Sequence, residues 1–366
     1  MKPSTRLVRN ILGASFVAAV LASWSGCSWL QIAWGALTYP TTAAGEAANV
    51  VAWNDFAYVT RGEQGFEILG LATGQSLGTV SPPEGGESAD DLAIADGLLF
   101  VLDARPPGHL FAYSLEDPSS PVLRSPPMTV ETGPFSGVSA AGGRVVVSGG
   151  TSRLQLRAYG PDGRIGNETV YADAGRGQPD VFLSPDGALA FVSTHTYGPH
   201  FALTILGLSS SPLQIETLGQ VPVDTYGFTA GGAKPANFPL EGALEKNVFF
   251  AAFAGGLAAV DVSDPKASRL LSVLETPVKG VSVDVRENVA AVVGSFPKPL
   301  LVLVDVSDPA RPQEIRAIPL PEGSLATGVA LAPPRVLIAA HSRGVLALNS
   351  NTGSWEGFSS LEAKEK

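Results

Sequence analysis

One short segment recurs along the chain and limits the folds that are open to it. Leu301–Pro309 (LVLVDVSDP) has a close copy at Leu257–Pro265 (LAAVDVSDP) and a looser copy at Leu110–Pro118 (LFAYSLEDP). A run of branched aliphatic residues bounded by turn residues is typical of a strand that is buried on both faces. The Asp-Pro pair that follows favours a turn, because the residue before proline is kept out of the helical region. The segment therefore predicts a sheet module that the chain forms repeatedly.

Turn residues mark this module along the chain after about residue 45. The marks are 41 to 60 residues apart and lie between two short apolar strands, at Asp55, Gly97, Gly143, Gly187, Asn247, Asn288 and Pro334. Asn, Asp and Gly at such points are typical of hairpin turns, because these residues tolerate positive φ. The longest interval, from Gly187 to Asn247, predicts an insertion near Tyr226–Gly242.

Each pair of strands is followed by an apolar third strand and, in most units, by a more polar fourth strand. Four strands per unit with a period of about 40–50 residues is typical of propeller blades. We therefore predict an all-β fold, a seven-bladed β-propeller with four antiparallel strands per blade, over residues 46–360. Residues 361–366 would then form a charged tail.

Two of the repeated segments resemble known propeller repeats. VLVDVSDP and AAVDVSDP are similar to the LVIVD-repeat family of bacterial exported β-propellers, most clearly over residues 244–320. The fourth unit, SPDGALAFVST, instead resembles the YVTN and lactonase-like repeats. The resemblance implies a propeller fold and export, and it implies no particular activity.

The first 27 residues have the pattern of an export signal. Lys2, Arg6 and Arg9 precede an apolar stretch, Ile11–Trp24, which leads to Cys27, the sole cysteine of the chain. This pattern predicts a secretory signal, and its end resembles a bacterial lipobox with Cys27 as the lipidated residue, although Trp24 stands where Leu is usual. An uncleaved membrane anchor over residues 11–37 and a released soluble form are the alternatives.

The charge of the chain restricts the partners that it can bind. Without the three basic residues of the signal, 21 basic side chains face 34 acidic ones, and no basic run is present. Nucleic acid is therefore not an expected partner. We expect a monomer in a bacterial cell envelope, held to the membrane by its lipid or anchor, with a protein partner. The four histidines fall in or at the end of loops that share one face, where a metal cluster is geometrically possible but solvated histidines are the commoner outcome. No metal and no cofactor are therefore expected, and the phosphate-binding and dinucleotide motifs are absent.

Candidate catalytic residues are acids and histidines of the loops that should meet at the channel mouth. Carboxylates in such a place can act as general acids or bases if a pocket shifts their pKa. The candidates for a lactonase-like or other hydrolase are Asp90, Asp91, Asp103, Asp180, His109 and His195. Solvated loop residues are the competing interpretation.

Basic residues of the same loops give a second hypothesis. Five blades each supply one basic group near the predicted mouth: Arg61, Arg105, Arg153, Lys298 and Arg343. A basic mouth on an acidic body would attract an anionic ligand. The leading prediction is therefore a non-enzymatic binding or scaffold module for a protein or a small anionic ligand, and the alternative is the hydrolase.

The sequence leaves the closure of the ring open between two schemes. The seventh unit needs a fourth strand, and Trp355–Phe358 is short and contains Gly357. The apolar segment Ile32–Tyr39 could supply this outer strand instead, and we prefer it here. In the other scheme the blades close with sequence-adjacent strands, and residues 28–45 form a linker.

Overall fold

The fold is known from a computed structural model. It describes residues 46–131, 137–149, 153–173, 180–195, 201–223, 242–253, 255–295, 297–350 and 353–359, and for residues 180, 194, 195, 201, 210 and 357–359 it describes the backbone only. The predicted insertion near Tyr226–Gly242 lies almost entirely outside these residues, as do the signal segment, Cys27 and the charged tail. In the described part of the chain, no helix has the length and apolar character needed to span a membrane.

The described residues form seven antiparallel sheets that follow one another along the chain. Blades 1 to 3 comprise β1 Val50–Trp53, β2 Phe56–Thr60, β3 Phe66–Gly70 and β4 Ser76–Val80; β5 Asp91–Ala95, β6 Leu98–Asp103, β7 Gly108–Ser114, β8 Val122–Leu123 and β9 Met128–Val130; and β10 Val138–Ala141, β11 Arg144–Gly149, β12 Arg153–Ala158 and β13 Val170–Asp173. Blades 4 and 5 comprise β14 Asp180–Leu183, β15 Leu189–His195, β16 Phe201–Ser210 and β17 Leu213–Val223; and β18 Gly242–Glu245, β19 Val248–Phe253, β20 Gly256–Asp261 and β21 Arg269–Glu275. Blades 6 and 7 comprise β22 Ser282–Arg286, β23 Val289–Gly294, β24 Leu300–Asp305 and β25 Gln313–Pro319; and β26 Gly328–Ala332, β27 Arg335–Ala339, β28 Val345–Asn349 and β29 Trp355–Ser359.

The predicted seven-bladed propeller is confirmed. Six blades have four strands in sequence order, and blade 2 has a divided outer edge, because β8 and β9 both pair with β7. The core lies between the blades: seven apolar clusters of the described residues each join two successive blades. The cluster that contains Val59 and Leu337 joins blade 1 to blade 7 and so completes the ring.

The Asp-Val-Ser-Asp-Pro segments form the turns between the third and fourth strands. In blade 6, Oδ1 of Asp305 accepts the N–H of Ser307 at 2.9 Å, and Oδ1 of Asp308 accepts the N–H of Ala310 at 3.1 Å. Blade 5 repeats both bonds at Asp261 and Asp264. Asp bonded to the backbone two residues onward stabilises a turn without help from the sheet ladder. The repeated acids therefore have a local structural role.

The proline carbonyl of the Asp-Pro turns in blades 2, 5 and 6 faces the preceding blade. The carbonyl oxygen of Pro118 accepts the hydroxyl of Tyr58 at 2.8 Å, and that of Pro309 accepts the hydroxyl of Ser272 at 2.6 Å. Between blades 4 and 5, a Cβ added to Gly219 would lie 2.6 Å from the carbonyl oxygen of Pro265. The turn is therefore also a point of contact between neighbouring blades.

Gly219→Ala should test this contact. The added methyl group would meet a backbone oxygen that cannot move without moving blade 5, so we expect a loss of about 1–3 kcal/mol of stability. Gly70→Ala is the control, because its nearest neighbour would be the hydroxyl oxygen of Thr73 at 3.3 Å. Urea unfolding of both variants measures the difference, and equal stabilities would contradict the contact.

Bulges interrupt the outer strands of five blades. In β4, β17, β21, β25 and β29, the outer strand contains one residue more than the stretch of the third strand with which it pairs. In β4 this residue is Leu77 and in β25 it is Ile315, and both are exposed. A bulge twists an edge strand and so reduces its ability to pair with another chain. The bulges therefore protect the rim of the ring against edge-to-edge association.

Closure of the ring uses the C-terminal strand and a short N-terminal bridge. β29 pairs with β28, so the outer strand of blade 7 is sequence-adjacent. β29 therefore takes the place for which Ile32–Tyr39 was preferred, and Trp355 packs against the core between blades 6 and 7. Ile32–Tyr39 itself lies outside the described residues. Ala47 and His341 exchange backbone hydrogen bonds of 3.1 and 3.0 Å, which tie the chain before β1 to blade 7.

Candidate functional site

A cavity of about 520 Å³ lies at the centre of the ring. Its wall comes from the innermost strand of every blade, namely β1, β5, β10, β14, β18, β22 and β26. Most of the described wall consists of small or aliphatic side chains such as Ala93, Val181 and Val283. Three carboxylates, those of Asp91, Asp96 and Asp284, also line it. The volume is within the usual range of small-molecule sites.

Side chains of one blade bind backbone groups of the innermost strand of the next blade. An innermost strand pairs with its own blade on one side only, so backbone groups on its other edge need different partners. The hydroxyls of Ser139 and Ser282 accept the N–H groups of Leu183 and Val329 at 3.0 and 3.1 Å. These bonds hold neighbouring blades in register at the wall of the cavity.

Asp91 joins the inner strands of three blades. Its Oδ1 accepts the amide side chain of Asn49 from blade 1 and the N–H of Leu92 at 2.9 Å. Its Oδ2 accepts the N–H of Val138, the first residue of β10 in blade 3, at 2.7 Å. The carboxylate is therefore held rigidly at one end of β5, and all of these hydrogen-bond donors are uncharged.

Asp284 has the corresponding role between blades 6 and 7. Its Oδ2 accepts the N–H of Leu331 at 2.7 Å, and its Oδ1 accepts the N–H of Val285 at 2.8 Å. Burial raises the pKa of Asp284, and the two backbone hydrogen bonds act in the opposite direction. Asp96, at the far end of β5, accepts the hydroxyl of Tyr159 at 2.6 Å and the N–H of Gly143 at 3.1 Å.

Burial also raises the pKa of Asp91, to about 6, although the hydrogen bonds from Val138, Leu92 and Asn49 lower it. The neighbouring charge of Asp90 adds to the increase. A carboxyl group whose pKa is higher in the folded state than in the unfolded state favours folding when it is protonated. Its contribution is complete below the unfolded pKa and is lost as the pH rises through about 6.

Stability should therefore depend on pH through Asp91. A shift from 3.8 to about 6 corresponds to about 3 kcal/mol, lost between about pH 4 and pH 7. The difference in unfolding free energy between wild type and Asp91→Asn isolates this contribution from the other acids, and it should change by that amount over this range. Guanidinium unfolding at several pH values measures it, and a constant difference would contradict the burial of the charge.

Two of the predicted acids brace a loop instead of facing the cavity. The hydroxyl of Ser88 lies 2.6 Å from Oδ2 of Asp90 and 2.8 Å from Oδ1 of Asp103. Asp90 also accepts the N–H of Ala104 at 2.8 Å, and Asp103 accepts the N–H groups of Glu87 and Arg105 at 2.8 and 3.0 Å. Asp103 is fully buried. These bonds fix the loop that connects blade 1 to blade 2.

The remaining acid and histidine candidates are His109, Asp180 and His195. Nδ1 of His109 lies 3.9 Å from Oδ2 of Asp103, which brings it to the same loop network. The backbone of Asp180 begins β14 and that of His195 ends β15, and their side chains lie outside the description. Within the described ranges, no group of three or more His, Cys, Asp and Glu side chains is arranged to hold a metal ion. Of the four candidates whose side chains are described, Asp91 lines the cavity and Asp90, Asp103 and His109 do not.

Three of the five predicted basic residues form ion pairs with glutamates. Arg61 is buried and pairs with Glu67, Arg105 pairs with Glu63 at 2.7 Å, and Arg153 pairs with Glu131 at 3.6 Å. Lys298 and Arg343 are exposed, and Arg343 donates to the carbonyl of Glu322 at 2.6 Å. These pairs balance positive charge within the loops. None of the five lines the described cavity.

Sequence reasoning missed Asn49, Ser139, Ser282 and Asp284 as residues of this site. A signal was present: each lies three or five residues before the first residue of a hairpin turn, as Asp91 does. A polar residue inside an apolar inner strand needs a buried partner. That requirement could have identified these positions as contacts between blades.

Comparison with known proteins gives one match by sequence. A family model described as the LVIVD repeat matches residues 282–318. The matched segment begins at Ser282, in β22, and ends within β25, so it corresponds to blade 6 and contains both Asp284 and the Asp-Val-Ser-Asp-Pro turn. A comparison with curated protein sequences found no match.

Solved structures with a similar fold include several propellers. The β-propeller domain of Cps50 (Swd1) from Myceliophteria thermophila is 12% identical, with a TM-score of 0.59 and coverage of 87% of this chain and 99% of that one. A candidate 6-phosphogluconolactonase from Bacteroides fragilis is 12% identical, with a TM-score of 0.60 and coverage of 88% and 96%. The WD40 repeats of RRP9 are 11% identical, with a TM-score of 0.58 and coverage of 82% and 88%. At these identities the likeness shows the fold alone.

Proposed function

We propose that this chain is a non-catalytic binding module, exported and tethered to a membrane, whose small-molecule site is the central cavity. The observation that supports this function is the cavity itself, about 520 Å³ in volume and lined by the inner strands of all seven blades. Its wall is held in place by hydrogen bonds between blades, as at Asp91 and Ser282. A preformed cavity with a few fixed polar groups is typical of a ligand site.

The hydrogen bonds of the predicted acids favour binding over hydrolysis. Asp91 and Asp103 accept backbone N–H groups that would lose their partners if the carboxylates moved during a reaction. A general acid or base has to reach a substrate and exchange its proton there. The acids therefore act here as structural acceptors, although the lactonase-like hydrolase remains the alternative to be tested.

Photo-crosslinking tests the location of the site without knowledge of the natural ligand. The mature protein is irradiated with small diazirine-bearing fragments, and the labelled peptides are mapped by mass spectrometry. Labels should concentrate on peptides that contain β1, β5, β10, β22 or β26. Labels confined to the outer strands would contradict the proposal. Turnover of lactones or aryl esters that Asp91→Asn or Asp103→Asn abolishes would establish the hydrolase instead.

Export and tethering are part of the same proposal and rest on the sequence. Lipid attachment at Cys27 would hold the propeller at a bacterial envelope, outside the cytoplasm. We expect Cys27→Ala to abolish labelling with a fatty acid and to release the propeller or leave an unprocessed precursor. Metabolic labelling followed by membrane fractionation measures this. A wild-type protein that stays in the membrane without label would favour the anchor helix.

A further inference from the structure

Among the described residues, every charged side chain that lines the central cavity is acidic. Asp91, Asp96 and Asp284 line it, and the described lining residues include no Lys, Arg or His. The other described lining residues are mainly aliphatic, as Val50 and Ile94 are. Asp91 and Asp284 are largely removed from solvent, whereas Asp96 is exposed. A carboxylate removed from solvent is unfavourable unless an opposite charge or hydrogen bonds compensate it. The wall supplies hydrogen bonds to these acids, so an occupant could supply the charge.

The carboxylates keep acceptor positions for such an occupant. A carboxylate has about four lone-pair sites. Oδ2 of Asp91 receives one described hydrogen bond, from Val138, and each oxygen of Asp284 receives one backbone N–H. Asp91 lies in blade 2 and Asp284 in blade 6, so the two acids approach the cavity from different sides of the ring.

We propose that the cavity takes a small organic cation, a compact apolar group that carries a protonated amine, with the ammonium group at Asp91. This inference rests on the binding function proposed above and specifies the chemical class of its ligand. The aliphatic wall suits the apolar body of such a molecule, and the ammonium group donates to an open acceptor position of the carboxylate. The charge of this ligand is thus opposite to that of the anionic ligand that the loop arginines suggested.

Three probes of nearly equal shape test the charge preference. Tryptamine, tryptophol and indole-3-propionate present an ammonium, a hydroxyl and a carboxylate on the same indole side chain. Binding of each to the mature protein is measured by isothermal titration calorimetry at neutral pH. Tryptamine should bind at least about tenfold more tightly than the other two, as a charge-assisted hydrogen bond in an apolar site allows.

Two variants locate this preference. Asp91→Asn should remove most of the tryptamine preference, whereas Asp308→Asn, the same change of charge on an exposed outer turn, should leave it unchanged. Asp284→Asn is the second cavity variant, which serves if Asp91→Asn does not fold, and it should weaken the preference.

The failures of the two proposals are distinguishable. Equal or tighter binding of indole-3-propionate, or a preference that persists in both cavity variants, overturns the cation inference. The binding function survives either result if photo-crosslinks still map to the inner strands. Absence of binding by all three probes overturns the inference, and crosslinks confined to the outer strands overturn the function as well.

Discussion

Truncation after Ser350 should destabilise the ring by more than about 3 kcal/mol, because it removes β29. Trp355 packs against the core between blades 6 and 7, and its loss exposes that core. Glu356 is lost as well; its Oε2 lies 2.8 Å from Nε of Arg335, and its Oε1 accepts from Asn349 at 3.0 Å. β28 would then become an unpaired edge that can associate with other chains.

A shorter truncation, after residue 360, is the matched control. It removes the charged tail and leaves β29 complete, so its melting temperature should equal that of the full chain. Calorimetry of both truncated proteins measures the difference. Two equal melting temperatures would mean that β29 does not close blade 7 and that another segment forms its outer strand.

Removing one partner of the Arg61–Glu67 pair should cost about 3–5 kcal/mol, because the buried charge that remains would lose this ion pair. Both side chains are almost fully buried, with 3% and 10% of their surfaces exposed. Nε of Arg61 donates to Oε2 of Glu67 at 2.8 Å, and its terminal nitrogen donates to the same oxygen. Arg61→Met and Glu67→Leu should therefore each destabilise blade 1 strongly.

The double variant Arg61→Met/Glu67→Leu separates a structural pair from a ligand-binding arginine. Replacing both charges by apolar side chains of similar size is often close to neutral, so the double variant should recover most of the stability. Denaturant unfolding of the four proteins completes a double-mutant cycle. Additive losses would contradict the pairing and would favour the earlier hypothesis that Arg61 contacts an anionic ligand.

The architecture was predictable because its signals are local. The hairpin turns at Asp55 or Gly97 and the Asp-Val-Ser-Asp-Pro turns fix where strands begin and end, and their period fixes the number of blades. Blade 2 departs from the pattern, with two short outer strands, β8 and β9. The outer strand of blade 7 was left open by the sequence; pairing with β28 places β29 there, with Trp355 against the core between blades 6 and 7.

The site was less predictable, because it depends on contacts between residues far apart in the sequence. Asp91 was named as a catalytic candidate, but its partners Asn49 and Val138 lie 42 and 47 residues away. Asp284 was not named at all. The loop arginines were grouped by position, whereas the structure shows that a glutamate accompanies Arg61, Arg105 and Arg153. A loop position does not reveal whether a side chain faces a ligand or an ion partner.

A crystal structure of the mature protein soaked with tryptamine would show the ring and its ligand together. We expect a closed ring of seven blades with β29 at the outer edge of blade 7 and the ligand in the central cavity, its ammonium group within hydrogen-bonding distance of Asp91. A cavity filled by another part of the chain, or tryptamine bound only outside the inner strands, would contradict this expectation.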